Sequence, residues 1–149
     1  MTTTKSRRTA ADLMHRKVET VRPNMLVGEL ARLLDSKRIS GVPVVDRGGR
    51  LVGVVSKSDL VHHETEGADV YESESRPLPK GFHSEMPDRT TVADIMTPAV
   101  VEAPPEASVG RLARLMRRRR IHRVFITKGQ KLLGVVATMD LLKLLEEEG

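Results

Sequence analysis

The chain of 149 residues repeats itself, and this duplication limits its fold more than any other feature. Sliding the sequence by 82 positions lays Val27–Val42 on Val109–Val124. Nine of the sixteen positions are identical: Val27/Val109, Gly28/Gly110, Leu30/Leu112, Ala31/Ala113, Arg32/Arg114, Leu33/Leu115, Arg38/Arg120, Ile39/Ile121 and Val42/Val124. Average composition gives roughly one match in fifteen by chance. The same offset pairs Ala11-Asp12-Leu13-Met14 with Ala93-Asp94-Ile95-Met96. One residue is then lost in a turn. At offset 81, Leu51, Gly53, Val54, Val55, Asp59 and Leu60 match Leu132, Gly134, Val135, Val136, Asp140 and Leu141.

Each copy reads as one series of elements. A helical turn (Ala11–Met14; Ala93–Met96) leads to an extended piece, Val18–Arg22 or Ala99–Ala103, stopped by Pro23 or by Pro104-Pro105. An amphipathic helix follows, carrying Val27, Leu30, Ala31 and Leu34, or Val109, Leu112, Ala113 and Met116. Two β-branched runs flank a turn in each copy: Val42–Asp46 and Leu51–Val55, then Val124–Thr127 and Leu132–Ala137. A last helix starts near Ser58 or Met139. The predicted fold class is α/β (α+β), with two β-α-β-β-α repeats paired by pseudo-two-fold symmetry, because one unit of about fifty residues cannot cover its own sheet. Residues 1–9 form a tail, 10–62 the first repeat, 63–89 a connector, 90–145 the second repeat and 146–149 an acidic tail.

Composition narrows the function. Cysteine is absent, which removes disulfides, thiolate metal sites and thiol nucleophiles and suits a reducing cytoplasm. Three aromatics (Tyr71, Phe82, Phe125) give little to base stacking, and the core must be aliphatic. The net charge is +5, unevenly spread. Between His62 and Arg89 stand seven acidic and three basic residues, a net of −4 that leaves +9 for the remainder. A basic body points to an anionic partner without naming it. Lys5, Arg7 and Arg8 precede no apolar run, so a secretory signal is not expected. No stretch approaches about 18 apolar residues, so no membrane span is expected.

In order and spacing the pieces resemble the cystathionine-β-synthase (CBS) domain, in the tandem pair called a Bateman module. The first copy carries "ADLM" and "ISGVPVVDRGGRLVGVVSKSDL", the second "VADIMTPAVVEAPPEASV" and "IHRVFITKGQKLLGVVATMDLL". The resemblance covers about residues 10–62 and 90–145. It implies a non-catalytic regulatory module that binds an adenosine-containing ligand (AMP, ADP or ATP, in some members NAD or S-adenosylmethionine) in clefts between the two units. It also implies homodimers in flat discs and an effector protein of unknown identity. No cofactor is required; the nucleotide, with or without Mg, is the regulatory ligand. The length leaves no room for an attached catalytic domain, so a stand-alone cytoplasmic protein is expected.

Candidate ligand residues follow. Ser56-Lys57-Ser58-Asp59 comes directly after a strand, where a helix start offers unpaired N–H groups to an anion. A carboxylate there can accept both ribose hydroxyls, and Ser56 and Ser58 can reach ribose or phosphate. The family's Gly-apolar-apolar-Ser/Thr-x-x-Asp pattern falls on Gly53, Ser56 and Asp59 and implies a ribose role for Asp59. Ser56 and Asp59 also read as a capping box with Asp in place of Glu, and the two readings are compatible. The second copy keeps Gly134 and Asp140 but has Ala137 and Met139 for the serines, with Thr138 one place away. Its pocket is weak, altered or empty.

The converse asymmetry lies earlier. Ile121-His122-Arg123-Val124 replaces Ile39-Ser40-Gly41-Val42. The resemblance implies phosphate contact by such a His-Arg pair, which suits a guanidinium fork and a titratable donor; a solvated helix end is the plain alternative. One good site would combine Asp59 and Ser56 at the ribose with His122 and Arg123 at the phosphates. By resemblance the adenine walls are Thr20-Val21 and Val42-Pro43, with Glu102-Ala103 and Val124-Phe125 in the copy, or these are plain core.

Arg117–Arg120 spread through about 300° of a helix and do not form one stripe. Solvation, phosphate neutralisation and nucleic-acid binding stand in that order. His62-His63 and His83 lack a metal-binding frame, and no catalytic triad, phosphate loop or facing acid pair marks an enzyme. Two other function classes stay open: a basic nucleic-acid binder and a ligand-free adaptor.

Overall fold

The computed structural model describes residues 8–64, 88–98 and 100–148. Most of the acidic connector, residues 65–87, and the start of the N-terminal tail, residues 1–7, lie outside them.

Among the described residues eleven elements follow one another: α1 (Ala10–Leu13), α2 (Val27–Lys37), β1 (Gly41–Val45), β2 (Leu51–Ser56), α3 (helical over 57–64), α4 (Val92–Ile95), β3 (Glu102–Ala103), α5 (Val109–Arg119), β4 (Arg123–Lys128) with β5 (Lys131–Ala137), and α6 (Thr138–Glu148). The mixture of helices and small sheets is the α+β class expected from the repeats. β1 pairs with β2, and β3-β4-β5 form a three-stranded sheet.

The described residues pack as two compact units, and neither is a linear repeat. The first comprises 20–46, 52–64 and 88–98; the second comprises 8–19, 47–51 and 100–148. The opening turn of each repeat is therefore built into the unit of the other. In the first unit α4 joins the segment before α2: Val92 N–H donates to Met25 O (2.8 Å) and Ala93 N–H to Pro23 O (2.9 Å). In the second unit α1 does the same before α5, with Ala10 N–H on Ala107 O and Ala11 N–H on Pro105 O, both 2.9 Å. Proline supplies an acceptor in both places but has no N–H of its own, which suits it to a loop that accepts an incoming helical turn.

The exchange reaches the cores. Val92 is fully buried with Val21, Leu30, Leu34, Val42, Val44 and Val55 in the first unit. Ala10 is fully buried with Ala103, Ala107, Leu112, Met116, Val124, Ile126 and Val136 in the second. Leu30 and Leu34 lie one helical turn apart on α2, and Leu112 and Met116 take their places on α5. Each such residue contributes about 2 kcal/mol by leaving water. The cores are aliphatic, as the lack of aromatics requires.

Symmetry of sequence carries into register. β3 runs parallel to β4 with Ala103 opposite Ile126, and 82 residues earlier Val21 forms a parallel bridge with Val44. The extended pieces are shorter than expected, a single bridge at Val21 and two residues of β3. The prolines that follow at Pro23, Pro104 and Pro105 cannot donate to a longer ladder. α2 and α5 both end on an arginine in the left-handed conformation, Arg38 and Arg120, each with φ 55°.

Gly53 and Gly134 explain themselves in this frame. A Cβ on Gly53 would lie 2.8 Å from Met96 Sδ and 2.9 Å from Thr97 O. A Cβ on Gly134 would lie 2.7 Å from His15 O and 2.9 Å from Met14 Sδ. Each glycine lets the exchanged turn cross the strand at backbone distance.

Candidate functional site

The residues of interest gather where each hairpin's second strand becomes a helix. In the first unit β2 ends at Ser56 and α3 begins. Asp59 Oδ2 accepts from the backbone N–H of Ser56 (2.7 Å) and from its hydroxyl (3.1 Å), while Asp59 N–H points back to Ser56 Oγ (3.4 Å). This is a reciprocal cap, and it fixes the carboxylate at the helix start. Oδ1 of Asp59 takes no hydrogen bond from the described residues, so half of a positioned carboxylate is open to a donor. The cap also consumes N–H groups. Ser56 and Asp59 use theirs, and Lys57 N–H donates to Ser40 O at 2.8 Å. The helix start is thus less of an anion site than its sequence suggests, because three of its donors are taken, and its remaining chemistry is that of an acceptor. Ser58, between the two capping residues, is exposed.

The remaining candidates of this unit split by exposure. Val21, Val42 and Pro43 are buried, and Thr20 is exposed. Val21 is held on β1 by its N–H to Pro43 O (3.1 Å) and by Val45 N–H to its carbonyl (2.9 Å). The Val21 and Val42 side chains pack in the apolar core.

The second unit repeats the junction with different side chains. Ala137 ends β5, and its N–H donates to Asp140 Oδ2 at 2.7 Å, the same backbone cap without a hydroxyl. The other oxygen is taken. His15 Nε2 lies 2.7 Å from Asp140 Oδ1, and since an ionised carboxylate only accepts, the imidazole N–H is the donor. The His15 side chain is 64% exposed and the Asp140 side chain 15%. Sequence reasoning missed His15. The repeat marks its position, after "ADLM" and, at offset 82, on Thr97, but nothing in the sequence marks its partner.

His122 and Arg123 are exposed at the start of β4, and Ala103 and Val124 lie in the second core. It is the His122 carbonyl that holds structure: it accepts from Thr138 N–H (2.9 Å) and from the Thr138 hydroxyl (3.3 Å). Thr138 is therefore engaged at the α6 start. Glu102 accepts from the nearly buried Thr127 hydroxyl at 2.5 Å, which ties β3 to β4. Arg117, Arg118 and Arg119 occupy the last turn of α5, where cations oppose the negative end of the dipole, and Arg120 caps it. All four are exposed.

In the first unit His63 Nε2 meets Asp88 Oδ2 at 2.7 Å. The Thr90 hydrogen bonds foremost, with His63 adding to them, push the Asp88 carboxyl down to about 2. Among the described residues no three His, Cys, Asp or Glu side chains are grouped to hold a metal ion, and no helix is long and apolar enough to cross a membrane.

Comparison with known proteins gives these positions a setting. The CBS domain family model matches twice, over residues 10–66 and 92–147. The CBS domain of a CBS-domain-containing membrane protein from Sphaerobacter thermophilus is 33% identical, with a TM-score of 0.70 over 93% of this chain and 88% of that one. CBSX2 in complex with AMP is 24% identical, with a TM-score of 0.73 over 94% and 97% of the two chains. The CBS domain pair of protein MJ0100, in complex with 5′-methylthioadenosine and S-adenosyl-L-methionine, is 21% identical, with a TM-score of 0.70 over 95% and 98%. The last two likenesses are of fold.

Proposed function

The chain belongs to the CBS domain family as a tandem pair, and from that premise we propose that it is a non-catalytic sensor of an adenosine-containing ligand of the AMP, ADP or ATP class. One observation carries the reading. Asp59 is fixed by Ser56 at the end of β2 with Oδ1 left to accept, the chemistry a ribose diol needs. Proteins of the same fold bound to AMP or to S-adenosylmethionine support the ligand class.

In this reading Ser56 and Asp59 take the ribose hydroxyls, and Ser58 supplies a further hydroxyl donor. The backbone of Thr20, Val21, Val42 and Pro43 borders the base in the first unit, with that of Ala103 and Val124 as its counterpart in the second, while the Val21, Val42, Ala103 and Val124 side chains stay in the cores. His122 and Arg123 take phosphate, since both are exposed and Arg123 offers a planar fork. The ligand acts by favouring one of two conformations, which an effector protein reads. Two copies of the chain associate, and Met139, Leu142 and Leu145 on α6, 70%, 48% and 63% exposed, offer the apolar surface for it.

A thermal-shift panel of AMP, ADP, ATP, NAD and S-adenosylmethionine, with and without Mg²⁺, tests the reading, because a ligand that binds the folded state raises its melting temperature. A rise with at least one of them is expected. Indifference to all of them overturns it. Arg123→Ala is expected to weaken AMP far more than adenosine, and equal losses would remove Arg123 from the phosphate.

A further inference from the structure

We infer that His15 is the residue that closes the second copy of the ribose carboxylate, so that this duplicated protein takes ligand through Asp59 and not through Asp140. The inference rests on the adenosine reading above.

The backbone carrying His15 is held rigidly. His15 N–H donates to Val135 O (2.9 Å) and Val135 N–H returns to His15 O (3.0 Å), a two-bond bridge onto β5. Gly134 lets that carbonyl approach to a distance no side chain would tolerate. From this anchored position the imidazole reaches Asp140 Oδ1 at 2.7 Å. Asp140 Oδ2 already holds the Ala137 N–H. Both oxygens of the carboxylate therefore have a fixed donor before any ligand arrives.

The first unit has the same anchor without the ring. Thr97 N–H donates to Val54 O (2.8 Å) and Val54 N–H to Thr97 O (2.9 Å), over Gly53. No hydrogen bond joins Thr97 to Asp59 among the described residues, and Asp59 Oδ1 keeps its lone pairs. Two junctions with one backbone geometry thus differ in their helix-start side chains (Ser56, Lys57 and Ser58 against Ala137, Thr138 and Met139) and at the anchored position, imidazole in one and a short hydroxyl side chain in the other. A ribose hydroxyl at Asp140 would have to share Oδ1 with the imidazole or displace its charge-assisted hydrogen bond, a competition that a ligand at Asp59 Oδ1 does not meet. The loss of such a bond corresponds to about ten- to a hundredfold in affinity.

The test is calorimetric titration of AMP into the wild-type chain and two variants. Wild type is expected to bind one AMP per chain. His15→Thr, which gives the second junction the first one's residue, is expected to add a second, weaker site. Thr97→His, which closes the first junction, is expected to weaken the original site by about ten- to a hundredfold. A wild type that binds two AMP per chain, or a folded His15→Thr protein that gains no site while Thr97→His keeps full affinity, overturns the inference and leaves the adenosine reading standing. Gain of a site in His15→Thr from a wild type that binds none supports the role of His15 and overturns the role of Asp59. No AMP bound by wild type or by either variant overturns the inference, and the nucleotide panel then decides the adenosine reading separately.

Discussion

Two helix starts in this molecule share a backbone and differ in chemistry. At α3 a serine and an aspartate cap each other and one carboxylate oxygen is left over; at α6 an alanine N–H and an imported histidine occupy both oxygens of the matching aspartate. The framework around them is the same. A glycine under a crossing chain, a two-bond bridge onto the second strand and an aspartate at the third helical position recur in both. The parts whose replacement would move backbone are alike in the two copies, while the side chains around them differ. On the reading proposed above, the difference gives ligand binding to the first junction and leaves a purely structural cap at the second.

The largest effect that sharpens the comparison is steric and symmetric. Gly53→Ala and Gly134→Ala should each cost about 1–3 kcal/mol, since the added methyl meets a backbone carbonyl that has little room to give. Thermal melting checks this; a marked inequality would mean that the crossings are not equivalent. Next come the caps. Thr91 N–H and hydroxyl meet Asp94 Oδ2 at 2.8 and 3.0 Å, and Thr9 meets Asp12 Oδ2 at 2.9 and 3.3 Å. Replacing Asp94 or Asp12 by alanine should cost about 1 kcal/mol each, read by denaturant unfolding. The Thr91 contacts hold the Asp94 carboxyl below its ordinary value.

A smaller asymmetry sits in the hairpin turns. Gly49 has φ 81°, and its counterpart at offset 81, Gln130, has φ 72°. Gln130→Gly should stabilise by roughly 1 kcal/mol and Gly49→Ala should destabilise by a like amount, as melting curves will show.

The smallest effect is an acid one, confined to the first unit. The Asp88 carboxyl is pushed from 3.8 down to about 2 by Thr90 first and His63 after it. A depressed folded-state value means stability that is present above about pH 4 and lost as pH falls toward 2. With the Asp88 side chain 48% exposed, screening holds the contribution below about 1 kcal/mol. Asp88→Asn should flatten the acid limb of the stability curve by that amount.

Much of this was legible in the chain. The 82-residue offset foretold two copies of one design, and α2 and α5 fall on the periodicity of Leu30 with Leu34 and Leu112 with Met116. Ser56 and Asp59 were readable both as a cap and as ribose ligands because one spacing serves both. The exchange of α1 and α4 was not legible, since a short turn with a capping Thr and Asp fits either unit equally well until its acceptors, Pro23 and Pro105 among them, are placed in space. His15 was not legible for the same reason. It stands 125 residues from Asp140, and only the bridge between His15 and Val135 brings them together. Arg120 was readable as a cation at a helix end but not as the left-handed residue that terminates α5.

The central claim, that one carboxylate of the duplicated pair serves the ligand, is tested most directly by titrating AMP into Asp59→Ala and Asp140→Ala side by side. Both lose a helix cap, so a shared loss of stability cancels in the comparison. Asp59→Ala is expected to lose AMP binding while Asp140→Ala retains the wild-type affinity. Equal loss in the two variants, or loss in Asp140→Ala alone, would contradict the account.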